Sequence, residues 1–316
     1  MFLRHFGTHV AVRTPAKLNL FLEVLGRRAD GYHELETLMT TVGVYDRLLL
    51  APRDDGALVL SCGWSDGLGV HSRRALRAGK SSAYEPLPTG PENLVVRAVE
   101  RLRQRSGEAR GATLALTKSI PAAAGLGGAS ADAAAALAGA NALWHLGWSP
   151  ARLAEVAAEI GSDVSFFLGA AGRAAGAAVC RGRGERIEPL TGVARLPVVI
   201  IRPPVGLSTA RVYRACQPAA TPVSVAPLIE ALQDGDLRRL GAAMHNRLEA
   251  AAAQLCPWIA RLRAWCERFD LVGHQMSGSG TSYFGICRHA RQARRLASLA
   301  RQAGLGAVFA ASTPAC

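Results

Sequence analysis

The sequence is short of lysine: its 37 basic residues include only Lys17, Lys80 and Lys118, and the rest are arginine. A lysine retained against that background marks a place where a compact, flexible ammonium is preferred to a planar fork. Long apolar runs are missing too. No stretch approaches the ~20 residues that cross a bilayer, and the opening residues MFLRHFGTHVAVRT lack the apolar core of a leader. A cytoplasmic protein with no membrane partner is therefore expected. The seven cysteines (Cys62, Cys180, Cys216, Cys256, Cys266, Cys287 and Cys316) form no CxxC pair, which argues against a disulfide framework and a zinc site. Aromatic residues are only 6% of the chain, with no aromatic-rich signature of nucleic-acid binding. Two standard phosphate motifs fail as well. Gly79, Lys80 and Ser81 end like a P-loop, but Arg74 stands where its first glycine is required. After Gly125 and Gly127, Ser130 occupies the third glycine position of the dinucleotide pattern.

What is present suits one large or two medium globular domains: 316 residues, 49% hydrophobic and 19% charged. A net charge of +13 permits a nucleic acid, an anionic surface or a phosphorylated small substrate as partner. The basic residues are dispersed; local groups at Arg73, Arg74, Arg77 and Lys80, and at Arg288, Arg291, Arg294 and Arg295, read as solvated helix faces. Alternation over 9–25, interrupted by Pro15, predicts two strands or a bent one, and 47–51 with 57–62 a hairpin. Residues 63–90 lack any period and read as a long loop or insertion. Proline before and glycine after PENLVVRAVERLRQRSG mark a helix, and Ser149 caps another. ATLALTKSIP predicts a strand, followed by a helix to about Leu146. Further helices are expected near 208–216, 224–233, 236–254, 257–268 and 289–303, with strands at 197–202, around GSGTSYFGI and at 306–311. The outcome is an α+β chain of two α/β layers dividing near 175–195.

The stretch PAAAGLGGASADAAAAL changes character halfway. Glycines let the backbone come close to a guest, and the alanines propagate a helix whose unpaired N–H groups and positive end make an anion cradle. A plain strand-to-helix turn is the alternative reading. Three segments together, PAKLNLFLEVLGRRADGYHELET, ENLVVRA with PAAAGLGGASADAA, and MSGSGTSYF, resemble the signature regions of the GHMP small-molecule kinases. The first is most similar to the branch that phosphorylates a cytidine-diphosphate-linked methylerythritol. The resemblance covers nearly the whole chain apart from 63–90, and Ala129 departs from a usual third consecutive glycine.

That resemblance implies a GHMP fold, with a ribosomal-protein-like ATP-binding domain over 1–175 and a ferredoxin-like domain over 176–316. It implies ATP in a cradle of Pro121, Ala122, Ala123, Ala124, Gly125, Leu126, Gly127, Gly128, Ala129 and Ser130, with Asn93 and Lys118 near the adenosine. Ser130 would either cap the helix or hold Mg²⁺. Lys17 and Asp163 match the catalytic pair, the aspartate taking the hydroxyl proton. By sequence alone, Ser162 and Asp163 read equally as helix capping, and Lys17 as the solvent face of a strand. Asn19, Tyr32, His33, Thr209 and Tyr213 would hold the acceptor, with Gly278, Ser279 and Gly280 closing over it; a plain hairpin turn is the rival for the last three. The implied partner is a small molecule, with no nucleic acid and no membrane, for a monomer or homodimer. A homoserine, mevalonate or sugar acceptor, and a basic nucleic-acid-binding protein, stay open as alternatives.

Overall fold

The computed structural model describes residues 1–65, 87–172 and 176–316, so most of the expected 63–90 loop, Lys80 and Arg73 among it, lies outside the described residues. Two compact units emerge: Met1–Ala16 with Val44–Ala122 and Gly127–Ala174, and Lys17–Gly43 with Ala123–Leu126 and Ala175–Cys316.

In the first unit, strand β1 (Phe2–Phe6) pairs antiparallel with the start of β2 (His9–Arg27), Phe2 opposite Arg13. The end of β3 (His33–Arg53) pairs antiparallel with β5 (Gly111–Lys118), and β4 (Leu58–Trp64) runs parallel to β5 on its other side. The expected hairpin of 47–51 with 57–62 is therefore wrong. β5 lies between those two strands, and the 54–57 turn crosses a gap of about two strand spacings, roughly 10 Å. Pro15 does not break β2; the ladder with β1 ends at Arg13, so the missing N–H at Pro15 undoes no bond on that side.

Helices α1 (Leu94–Ser106), α2 (Gly128–Leu143), α3 (Pro150–Ile160) and α4 (Val164–Gly172) pack on one another. Gly107 ends α1 at φ +72° and Ser149 caps α3, as the sequence signals, while Asn93, expected only near the adenosine, caps α1. α2 is buried on nearly every side. Alanine makes that possible, since neighbours can approach a helix of short side chains from all directions. At Gly139 even a methyl would stand 2.5 Å from Leu50 Cδ1. The helix stops at Leu143 rather than Leu146, where His145 turns to φ +55°.

In the second unit β6 (Ala177–Gly182) pairs with β3, Leu35 opposite Gly182, and β7 (Arg186–Leu190) with β6; the sequence reading anticipated neither. A separate antiparallel sheet has the order β10 (Gly273–Met276), β11 (Tyr283–Ile286), β8 (Pro197–Arg202), β12 (Ala307–Ser312). Helices α5 (Thr209–Ala215), α6 (Ala226–Asp234), α9 (Pro257–Cys266) and α10 (Ala290–Gln302) match expectation. The single helix expected over 236–254 is instead α7 (Leu237–Ala243) and α8 (Leu248–Leu255), separated by the two-residue strand β9 (His245–Asn246). β9 pairs parallel with β2, Phe21 opposite His245. This unit's core gathers Val199, Ile201, Leu248, Ile259, Leu262, Leu296 and Tyr283. All seven cysteines are free thiols.

Candidate active site

The glycine stretch is divided between the two units. In the first, Gly127 (φ +69°) precedes α2 and stands at its cap position without a side-chain bond. Ser130 thus lies inside the first turn, and the capping role expected for it falls to Gly127. Ala129 is exposed and absent from the positive-φ residues, so its methyl is accommodated. A Cβ on Gly128 would stand 2.9 Å from Ile120 Cγ2 and 3.1 Å from Lys118 Nζ. Only glycine lets the helix start settle this low on β5.

Beneath it is a buried ionic cluster. Lys118 Nζ donates to Asp46 and, at 2.5 Å, to Asp132 Oδ2. Asp46 Oδ1 also accepts the amides of Ser119 (2.5 Å) and Ile120 (2.8 Å). Burial and the neighbouring Asp46 push the Asp132 carboxyl up to about 8 against the pull of Lys118, so one ammonium shared by two buried carboxylates leaves a proton on Asp132 at neutral pH. Its Oδ1 has no hydrogen-bond partner. Lys118 and Asn93 both bond to the protein here: Asn93 accepts from Val95 N (2.9 Å) and donates to the Pro88 carbonyl (2.7 Å). Pro121 is buried and Ala122 exposed. Asp163 is half-buried and directly precedes α4.

In the second unit the other half of the loop, Ala123, Ala124, Gly125 and Leu126, is stitched to two further segments. Lys17 N donates to the Leu126 carbonyl (3.0 Å), Ser282 N to that of Ala124 (3.0 Å) and Ser277 Oγ to that of Gly125 (2.9 Å). Gly125 (φ +74°) is so close that a Cβ would stand 2.0 Å from the Ser277 carbonyl oxygen. Lys17 is only 5% exposed, and its Nζ donates to Asn19 Oδ1 at 2.5 Å. Asn19 Nδ2 donates in turn to Thr37 Oγ1 (2.8 Å), whose hydroxyl donates to the Phe21 carbonyl (2.6 Å). A Cβ on Gly278 would stand 3.3 Å from Lys17 Nζ and 3.2 Å from Asn19 Oδ1. Lys17, Asn19, the 123–126 segment and the turn holding Gly278, Ser279 and Gly280 therefore converge. Thr209 Oγ1 and Ser279 Oγ lie 2.8 Å apart.

Of the aromatic residues expected at the acceptor, His33 neighbours Tyr213 and Tyr32 neighbours Arg183. The His33 ring lies 5.1 Å from that of Tyr213 with 30° between planes. Tyr32, 55% exposed, has the Arg183 guanidinium 5.0 Å from its ring centroid. Burial, aided by Arg27, lowers the His33 pKa, so its imidazole is neutral at neutral pH. Arg183, Thr37 and Ser277 are neighbours of these residues that sequence reasoning missed. Ser277 was within reach, since it belongs to the MSGSG segment itself. Among the described residues no group of three His, Cys, Asp or Glu side chains could hold a metal ion. No helix among them is long and apolar enough to cross a membrane.

The model of the GHMP kinases N terminal domain matches residues 93–170, and that of the GHMP kinases C terminal domain matches 228–305. A 4-diphosphocytidyl-2-C-methyl-D-erythritol kinase of Pelotomaculum thermopropionicum is 40% identical over 91% of this chain and 92% of its own length. The enzyme of the same name from Shouchella clausii is 38% identical over 90% and 88%. A crystal structure of 4-(cytidine 5'-diphospho)-2C-methyl-D-erythritol kinase superposes with a TM-score of 0.76 at 33% identity, covering 97% of this chain and all of that one. Homoserine kinase from Cytophaga hutchinsonii, 19% identical with a TM-score of 0.71 over 100% and 97% of the two chains, shares the fold. Carrying both GHMP domains and this degree of identity over nine-tenths of its length, the chain belongs to the 4-diphosphocytidyl-2-C-methyl-D-erythritol kinase family of the GHMP kinases.

Proposed function

We propose that this chain phosphorylates the 2-hydroxyl of 4-diphosphocytidyl-2-C-methyl-D-erythritol with ATP, a step of non-mevalonate isoprenoid synthesis. The observation that carries the reading is the convergence of Lys17 and Asn19 with Gly125 and Gly278 within one compact unit. An ammonium fixed on a buried amide beside bare glycine backbone suits charge developing on a transferred phosphoryl group. Gly127 and Gly128 open α2 with unpaired amides that favour the triphosphate, and the Lys118 cluster holds that helix start from below. Asp163 accepts the proton of the attacking hydroxyl, and Lys17 orients that oxygen.

His33 and Tyr213 take the cytosine, with Tyr32 offering a second aromatic face. A neutral imidazole can both donate to and accept from a base edge. Mg²⁺ would neutralise phosphate charge during transfer, and Ser130, in the first turn of α2, would hold it. The domain division at 175, a cytoplasmic location, a monomeric or dimeric state and the lack of a nucleic-acid partner belong to the same proposal. ATP consumption with the cytidyl acceptor, against mevalonate and homoserine as controls, tests it. Turnover of a control in preference to the cytidyl compound overturns the acceptor assignment.

A further inference from the structure

The turn from Met276 to Ser282 presses on the Lys17–Asn19 pair, and what holds the turn comes from a part of the chain that no signature segment includes. Asn246 Nδ2 donates to the Met276 carbonyl (2.8 Å) and to the Gly278 carbonyl (2.9 Å), while its Oδ1 accepts Leu248 N (3.0 Å). Both amide hydrogens and the amide oxygen are thereby engaged. The residue is itself fixed: β9 pairs with β2 at Leu22, and Arg247 N donates to the Leu22 carbonyl (2.8 Å). From the next turn of chain, Glu249 Oε2 accepts Met276 N (2.9 Å). The strand leading into the turn is gripped at N–H and carbonyl alike, and the turn at Gly278, where a Cβ would stand 3.3 Å from Lys17 Nζ and 3.2 Å from Asn19 Oδ1.

We propose that Asn246 is a positioning residue for phosphoryl transfer, latching the glycine turn so that Gly278 fixes Lys17 and Asn19 in place. The inference rests on the kinase reading above. A helix through 236–254 would leave no such latch. The break between α7 and α8 brings a two-donor side chain level with β2, which gives that break a purpose.

The test is Asn246→Asp, similar in size but with an oxygen where Nδ2 donates, so that both latch bonds become repulsive. Turnover with ATP and the cytidyl acceptor should fall about tenfold or more through misplacement alone. The acceptor KM should stay within about twofold, because the side-chain bonds of Asn246 go to Met276, Gly278 and Leu248. Asn246→Gln, which keeps the donors, should recover part of the loss. Hydrogen exchange read without substrate should quicken at 276–282 in Asn246→Asp. Should that variant fail to fold, Asn246→Ala, which removes both donors without adding a repulsive oxygen, should give the same split. Unchanged turnover, or a rise in acceptor KM that accounts for the whole loss, overturns the proposal. So does unaltered exchange at 276–282. A wild-type chain inert toward the cytidyl acceptor instead overturns the kinase reading, and the exchange measurement still decides whether the latch exists.

Discussion

At the scale of single residues, the proposed chemistry rests on a few side chains whose removal separates rate from binding. Asp163→Asn keeps the size of the side chain and removes the proton acceptor, so turnover should drop by about 10²–10⁴ with ATP and acceptor affinities nearly unchanged. Steady-state kinetics with calorimetric binding checks this, and near-normal turnover would reject Asp163 as the base. The His33–Tyr213 pair should behave in the opposite way. Tyr213→Ala should raise the acceptor KM about tenfold, by analogy with the 1–3 kcal/mol of a base stacked on an aromatic ring, and leave the KM for ATP alone. Because burial lowers the pKa of His33, its ring takes up a proton only as the pH falls below the ordinary histidine range. The acceptor KM should therefore be flat through neutrality and rise in acid, and His33→Gln should abolish that rise. A KM that changes equally in the variant would assign the titration elsewhere.

At the scale of elements, the glycine loop is held by a cluster the sequence hides. Asp46 and Lys118 are 72 positions apart, and Asp132 is the one acidic residue in an alanine helix. With a proton on Asp132, the three groups are neutral together and tolerate burial. Asp132→Asn imitates that state and should cost no more than about 1 kcal/mol, whereas Asp46→Asn strips Lys118 of its carboxylate and should cost about 3–5 kcal/mol. Urea unfolding of both variants distinguishes them, and equal losses would refute the shared-proton account. What was legible in the sequence was local: the Ser149 cap, the glycine ending α1, the alanine helix and the glycine loop all follow from short-range stereochemistry. What was not legible depended on partners far along the chain. The 54–57 turn carries hairpin composition, yet β5 enters between β3 and β4. The 236–254 stretch has helical composition, yet pairing with β2 breaks it at β9. Lys17 alternates like an exposed strand residue, yet it is only 5% exposed, with its Nζ on Asn19. Lys118 was singled out by the scarcity of lysine, but its partners were not.

At the scale of the whole molecule, Glu23 in the second unit and Asp132 in the first are buried carboxylates whose titration differs between folded and unfolded chain, and they act at opposite ends of the pH range. In the second unit, burial alone would raise the Glu23 carboxyl, but the Arg247 guanidinium and the amides of Val223 and Val24 override it and hold its pKa at about 2. His245 lies 3.2 Å from the same carboxylate. A lowered carboxylate pKa means that the unfolded chain binds the proton first. Its contribution is complete above the ordinary value near 4.5 and is lost as the pH falls toward 2. In the first unit the sign reverses. Asp132, raised to about 8, keeps its proton in the folded chain long after the unfolded one has lost it. Its contribution is complete below the ordinary value and disappears as the pH rises through about 8. Scanning calorimetry at pH 3, 5, 7 and 9 (chosen to bracket roughly these windows) should therefore show the melting temperature falling on both sides of pH 5. Glu23→Gln should flatten only the acid limb, from a lower starting point, because Arg247 loses its buried partner. Asp132→Asn should flatten only the alkaline limb. A wild-type alkaline fall that persists undiminished in Asp132→Asn would show that the shared proton beneath the glycine loop is not its source.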